Sequence, residues 1–170
     1  MNASRQSKSN LLIEGLETIG IEYLAYLPCS TACDVLEHFR KDKKVTMIPL
    51  TKEEEGIGVM AGLEACGKKA VLLIQDSGLG NFLNALVTLG TSYKIPICIV
   101  ATRRGGFYEI NEANAEFGEI APELIDASRS MGFILDYKVP LEHWKDVVAN
   151  TYQYAHMMHK PIILLINLKQ

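Results

Sequence analysis

No run in this chain approaches the ~20 consecutive apolar residues that a membrane-spanning helix needs. The first ten residues are polar and hold no apolar run, so no secretory signal is expected and a reducing cytoplasm is the expected location. Cysteine is sparse: Cys29, Cys33, Cys66 and Cys98 form no C-x-x-C pair and stand in no ordered spacing with histidine, which argues against a zinc site. Cys66 and Cys98 lie in apolar surroundings and read as small core residues. Charge of one sign is also lacking. Lys and Arg number 17 against 20 Asp and Glu, a net −3, so no broad attraction for nucleic acid or anionic lipid is expected. The basic clusters, Arg40 to Lys44 and Arg103–Arg104, are short. There is no repeat, linker or low-complexity segment, and 170 residues read as one domain, 1–170.

What is present is alternation. Leu11, Leu12, Leu16 and Ile19 share one face of a helix over 6–19 that ends at Gly20. Short apolar strands are expected at Tyr23–Leu27, Val45–Ile48, Val71–Ile74, Ile97–Ala101 and Ile162–Ile166, with a weaker one near Phe133–Leu135. Helices are expected over 31–41, 52–66, from the Ser77–Gly80 turn to about Leu89, near 119–130 and over 141–158. Residues 103–116 read as a long loop. Uninterrupted Val, Ile and Leu strands separated by helices mean an α/β fold: three layers, α/β/α, around a mainly parallel sheet. Ligands of such sheets sit beyond the carboxyl ends of the strands. The loops to watch are therefore 28–31, 49–54, 75–81 and 102–118.

Each of these loops has a structural and a chemical reading. Thr51 with Glu54 three residues later fits a capping box, and acids in a first turn complement the helix dipole. That does not require three consecutive acids, Glu53, Glu54 and Glu55. Nor does it require the small residues Gly56, Gly58, Ala61 and Gly62, which let another backbone or a flat ligand come close. Gly78-Leu79-Gly80 after a strand is similar to a phosphate loop. It lacks the third glycine, because Leu83 stands there, and no Gly-Lys-Ser/Thr follows. Ser30 reads as an N-cap. Arg103 and Arg104 are either solvated charge or a clamp for an oxyanion. His38, His143, His156 and His159 fall on helices away from these loops, with His156 and His159 taken as surface residues.

Together these segments resemble the pyrimidine-binding domain of thiamine-diphosphate enzymes. Glu53 stands nine residues before Gly62, which Ala61 precedes, and Gly78-Leu79-Gly80-Asn81 follows the next strand. The resemblance is closer to the alpha subunits of sulfopyruvate decarboxylases. It rests on Pro28-Cys29, Thr51-x-Glu53-Glu54-Glu55-Gly56, Ala61-Gly62, Gly67-Lys68-Lys69, Ser77-Gly78-x-Gly80-Asn81 and Arg104-Gly105, in that order. It is clearest from Tyr23 to Gly106. Phosphonopyruvate decarboxylases look similar.

The resemblance implies a 2-oxo acid decarboxylase subunit with Glu53 as the catalytic acid at N1′ of the cofactor's aminopyrimidine. It implies Glu53, Gln75, Gly78 and Asn81 on the cofactor and Ser30, Ser77, Arg103 and Arg104 on the substrate. The family's diphosphate site, Gly-Asp-Gly followed by Asn, is missing here. Mg²⁺ and the diphosphate are therefore expected on a beta subunit, in a hetero-oligomer, and no metal ligand is expected in this chain. Whether isolated chains form homodimers stays open. So do two alternatives, a phosphonopyruvate decarboxylase subunit and a domain that binds the cofactor without turnover.

Overall fold

The computed structural model describes residues 3–107 and 109–169. Helix α1 (Ala3–Ile19) ends where Gly20 takes φ +69°, a backbone turn that only glycine makes freely. Strand β1 (Tyr23–Tyr26) and a 3₁₀ turn (Ser30–Ala32) lead into α2 (Cys33–Lys41). Then come β2 (Thr46–Pro49), α3 (Glu53–Ala65), β3 (Ala70–Gln75) and α4 (Gly78–Ala85), which runs on into a π-helical turn (Leu86–Thr91). The second half is β4 (Cys98–Thr102), α5 (Glu112–Ala127), β5 (Met131–Leu135), α6 (Trp144–Met158) and β6 (Ile162–Ile166).

The six strands form one parallel sheet in the order β2-β1-β3-β4-β6-β5. Alternation within the strands explains why their sequences are continuously apolar. Leu24, Tyr26, Val71, Leu73, Val100 and Leu164 face a core closed by Leu12 and Leu16 of α1, Phe39 of α2 and Trp144 of α6. Ala25, Leu72, Ile74, Ile99 and Leu165 face a second core closed by Ile57 and Met60 of α3, Phe82 of α4 and Ile125 of α5. Both faces are dry, so both alternating sets are apolar.

Three readings of the sequence change. Helix α5 starts at Glu112, inside the segment read as a loop to residue 116. Asn111 caps it, its side chain accepting from the Asn114 amide at 3.2 Å, so the asparagines mark a helix entry. That loop reading also covered Tyr108, which lies outside the described residues. Cys66 is exposed at the end of α3 and belongs to no core, whereas Cys98 is buried as expected. His156 is not a plain surface residue: its Nε2 lies 3.1 Å from Glu64 Oε2, tying α6 to α3. No helix among the described residues is long and apolar enough to cross a membrane.

Trp144 is fully buried, and its indole N–H donates to Val139 O at 3.0 Å. Trp144→Ala leaves a cavity and an unpaired carbonyl, and is expected to cost about 3–5 kcal/mol in urea unfolding. A loss under about 1 kcal/mol would mean that α6 does not hold this face.

Candidate active site

Strand order brings the site together. The chain leaves β1 to one side for β2 and returns on the other side for β3, so the crevice beyond β1 is flanked by the starts of α3 and α4. Three consecutive acids open α3, and each meets a different environment. Glu55 accepts from the Thr51 amide at 2.9 Å, the Thr51 hydroxyl at 2.7 Å and the Lys52 amide at 3.4 Å. These bonds hold its carboxyl below the usual range. The capping acid is thus Glu55, not Glu54, because the helix begins one residue later than the sequence reading. Glu54 is exposed. Glu53 is buried, and its Oε2 accepts from Asn81 Nδ2 at 2.9 Å.

Glu53 has room only because residue 78 is glycine. A Cβ on Gly78 would fall 2.4 Å from Glu53 Cγ and 2.7 Å from its Oε1. Gly78 and Gly80 lie in the first turn of α4, and neither has positive φ. The expected glycine-rich turn is therefore a close-packing device. Gly78 receives Glu53, and a Cβ on Gly80 would touch Phe117 at 3.4 Å. Gly56 has the same role, admitting Leu72 of β3. Among the described residues, nothing comes within 4 Å of a Cβ placed on Gly58 or Gly62, so that face of α3 is not covered by them. Leu27, Thr51, Lys52, Glu53, Glu54 and Asn81 line a cleft of about 440 Å³.

A second polar network lies beside the first, centred on Gln75 at the end of β3. Its Nε2 donates to Ser77 Oγ at 2.7 Å and Asn114 Oδ1 at 3.2 Å, and its Oε1 accepts from Arg104 Nη1 at 2.8 Å. Cys29 Sγ lies 2.8 Å from Thr31 Oγ1 and 3.3 Å from Thr102 Oγ1, which closes the network under β1 and β4. Ser30 is exposed and is the first residue of the 3₁₀ turn, with Cys29 at the N-cap position, one residue before the sequence reading. Ser30 lines a shallower cleft with Pro28, Cys33 and Arg40 rather than the cleft of Glu53.

Arg103 and Arg104 are both half-buried and both line a cleft of about 570 Å³ with Phe107, Asp136 and Lys138. Arg104 is turned inward, with Nε 2.7 Å and Nη2 3.0 Å from the two oxygens of Glu109. Their side chains are 10% and 1% exposed. Arg104 holds the Glu109 carboxyl down at about 2, helped by the Asn111 amide and by Lys169 at 3.6 Å. Among the described residues, three of the five N–H groups on the Arg104 side chain are engaged, and two remain.

Sequence reading missed Glu109, Asn114, Thr102 and Asp76. The available signal for Glu109 was an Arg and a Glu bracketing Gly105–Gly106. Both glycines take positive φ, +79° and +77°, and fold the loop back on itself. Asp76 has no exposed surface. Its Oδ2 accepts from the Arg104 amide at 2.7 Å, its Oδ1 meets no donor among the described residues, and burial pushes its carboxyl up. No histidine lines the Glu53 cleft. Among the described residues, no group of three His, Cys, Asp or Glu could hold a metal ion.

Glu109 titrates near 2 in the fold against ~4.3 unfolded, so its charge stabilises the protein above the unfolded value and stops doing so as pH falls toward 2. Glu109→Gln should lower the melting temperature at neutral pH. The gap to the unsubstituted chain should narrow between about pH 5 and about pH 2.5. A gap that stays constant over that range in scanning calorimetry would show that the ion pair does not stabilise the loop.

No family model matches the chain. The alpha subunit of sulfopyruvate decarboxylase from Methanococcus maripaludis is 34% identical over 148 residues, 87% of each chain. Sulfopyruvate decarboxylase from Methanosarcina acetivorans is 32% identical over 162 residues, which are 93% of this chain and 39% of that longer one. Shorter matches reach phosphonopyruvate decarboxylases of two Streptomyces species. Among solved structures, 2-oxoglutarate:ferredoxin oxidoreductase from Magnetococcus marinus, with 2-oxoglutarate, coenzyme A and succinyl-CoA bound, superposes with a TM-score of 0.69. That match covers 93% of this chain and 28% of the other at 16% identity, a likeness of fold. With alpha-subunit relatives matched along most of its length, the chain belongs to the family of sulfopyruvate decarboxylase alpha subunits.

Proposed function

We propose that this chain is the pyrimidine-binding subunit of a thiamine-diphosphate-dependent decarboxylase that turns 3-sulfopyruvate into sulfoacetaldehyde and CO2, a step toward coenzyme M. The observation that carries this reading is Glu53: a buried carboxyl at the carboxyl edge of a parallel sheet, with one oxygen held by Asn81 and a bare Cα behind it. Thiamine diphosphate supplies a thiazolium centre that accepts the electron pair left when a 2-oxo acid loses CO2. Glu53 would hold the aminopyrimidine by sharing a proton with its ring nitrogen, while Asn81 occupies its Oε2. Asn81 fixes its rotamer, and Gly78 allows the approach. We assign Gln75, which is bonded to Ser77 and Arg104, to the same cofactor.

The substrate carries two anionic groups. We assign them to Ser30, Ser77, Arg103 and the two uncommitted N–H groups of Arg104, since guanidinium N–H donors pair well with planar and tetrahedral oxyanions. The residues here fit the pyrimidine end of the cofactor. They offer no oxygen cluster for Mg²⁺ and diphosphate, which need hard ligands in fixed geometry. We assign that half to a beta subunit. The Methanosarcina relative, of which this chain spans 39%, has length left over for such a half. None of the four cysteines is in a disulfide, and we assign the chain to a reducing cytoplasm.

Glu53→Gln in the assembled enzyme should lower turnover by about 10²- to 10⁴-fold, the usual share of a general acid–base group, with its melting curve unchanged. Glu54→Gln should leave turnover close to wild type, since its side chain is exposed at the mouth of the cleft. If Glu54→Gln is inactive and Glu53→Gln active, the assignment of Glu53 is wrong.

The isolated chain should fold but neither bind thiamine diphosphate tightly nor release CO2. The aminopyrimidine alone offers too few contacts to offset lost translational and rotational freedom. Adding a diphosphate-domain chain should restore binding and turnover together, to a fixed stoichiometry. Calorimetry and a CO2-release assay, run with sulfopyruvate and with phosphonopyruvate, test both the half-site and the substrate. Micromolar affinity or turnover without a partner would overturn the half-site, and preference for phosphonopyruvate would overturn the sulfonate assignment.

A further inference from the structure

The two edges of the sheet differ in a way that the chemistry at Glu53 does not explain. Thr46 N donates to Glu22 O and Leu50 N to Tyr26 O, so even-numbered residues of β2 turn their backbone groups toward β1. Met47 and Pro49 face outward. Proline has no N–H to offer there, and Lys43 and Lys44 precede the strand. This edge is guarded against further pairing. At the other edge, Met131 N donates to Pro161 O and Leu135 O accepts from Asn167 N, so odd-numbered residues of β5 turn toward β6. Gly132 and Ile134 turn their N–H and C=O groups out of the sheet. Met131–Leu135 contains no proline and no charge.

The surroundings of β5 are apolar on both faces. Phe133 and Ile134, successive in the strand and hence on opposite faces, are 39% and 43% exposed. Phe133 stacks edge-on to Tyr154 of α6, with centroids 5.7 Å apart. Phe133, Val147, Asn150, Thr151 and Tyr154 line a cleft of about 330 Å³. Val147, Thr151, Tyr154 and the exposed Met158 follow helical spacing, so α6 turns a sideways apolar stripe toward the β5 edge.

We propose that two copies of the chain join through β5, antiparallel about Phe133, into one twelve-stranded sheet. A two-fold contact must be self-complementary, and this strand is. Its outward residues, Gly132 and Ile134, lie symmetrically about Phe133. Each Gly132 meets the copy's Ile134 as a hydrogen-bonded pair that exchanges two backbone bonds, and symmetry makes a second such pair. The two Phe133 side chains face each other at the closely spaced position, with Tyr154 of both copies beside them. No like charges oppose, and glycine sets no side chain against Ile134. The occupant is a second copy rather than the diphosphate-domain chain because β5 is at the opposite edge from β2, after which Glu53 follows. A chain that completes the Glu53 cleft leaves β5 uncovered.

Sedimentation equilibrium of the purified chain tests this. The unsubstituted chain should be a dimer at micromolar concentration. Ile134→Lys and Phe133→Lys should each weaken the dimer by roughly 100-fold or more, because they place a charge at the centre of the strand pair. Both positions are part-exposed, and an unchanged circular dichroism spectrum checks that the variants fold. Ile134→Pro removes an outward N–H that makes no bond to β6, and should also yield monomers. In hydrogen exchange, the Gly132 and Ile134 amides should be protected in the dimer and exchange quickly in the Lys variants. A monomeric wild type, dimers undiminished in all three variants, or amides protected only after a diphosphate-domain chain is added would each overturn the proposal.

Discussion

The contact between the Glu53 side chain and the bare Cα of Gly78 depends on most of the architecture around it. The two residues open successive helices, α3 and α4, which leave strands two places apart in the sheet with β1 between them. Parallel strands deliver both helix starts to the same edge at similar height. A Cβ on Gly78 would sit inside van der Waals distance of three Glu53 atoms, so the glycine leaves space for a charged group where packing would otherwise exclude it. Glu55 fixes the angular setting. By bonding the Thr51 amide and hydroxyl it begins the helix at Glu53, and thereby turns Glu53 inward and Glu54 outward. One residue of slippage would exchange their environments.

Arg104 is governed by a different balance. A guanidinium at the rim of an anion site is most useful when it has donors to spare. Here it is turned against Glu109, and the two side chains are largely covered, 10% and 1% exposed. Removing one member of such a pair leaves an uncompensated charge, so the arrangement resists disturbance more than it adds stability. Arg104 is thereby positioned with two donors not engaged among the described residues, in the same cleft as Arg103. Asp76 completes the frame from below. Its backbone accepts from Leu79 at the start of α4, while its carboxyl accepts from the Arg104 amide, joining the two networks. Burial pushing that carboxyl upward favours a form without charge beneath the arginines.

The layered fold was legible because its cause is local. Strands dry on both faces must be apolar at every position, and Ile162–Ile166 was read to the residue. Glu53 and Asn81 were legible only as types at a spacing, and the bond between them is a product of the fold. The Gly78–Gly80 pair looked like a turn because glycine serves both conformational freedom and close approach, and the string of letters does not separate the two. The Arg104–Glu109 pair was hidden for a related reason. It closes through two left-handed glycines, and loop geometry of that kind has no periodicity to read. The α5 start was missed because asparagine marks both loops and caps, and Cys66 because apolar neighbours in sequence are not neighbours in space.

The two ends of the strand order now read as one design. The β2 side carries Glu53, the opened helix face of Gly58 and Gly62, and an edge closed by Pro49. The β5 side carries no residue of the Glu53 cleft, yet it keeps an unguarded strand and an apolar helix stripe. An edge strand without proline or charge is a hazard in a chain that works alone, since it templates further pairing without limit. Pairing two such edges about a two-fold axis consumes both at once and leaves only the guarded β2 edges outside. Closing the reactive edge by self-association keeps the β2 side clear for the different chain that the proposed cofactor site calls for.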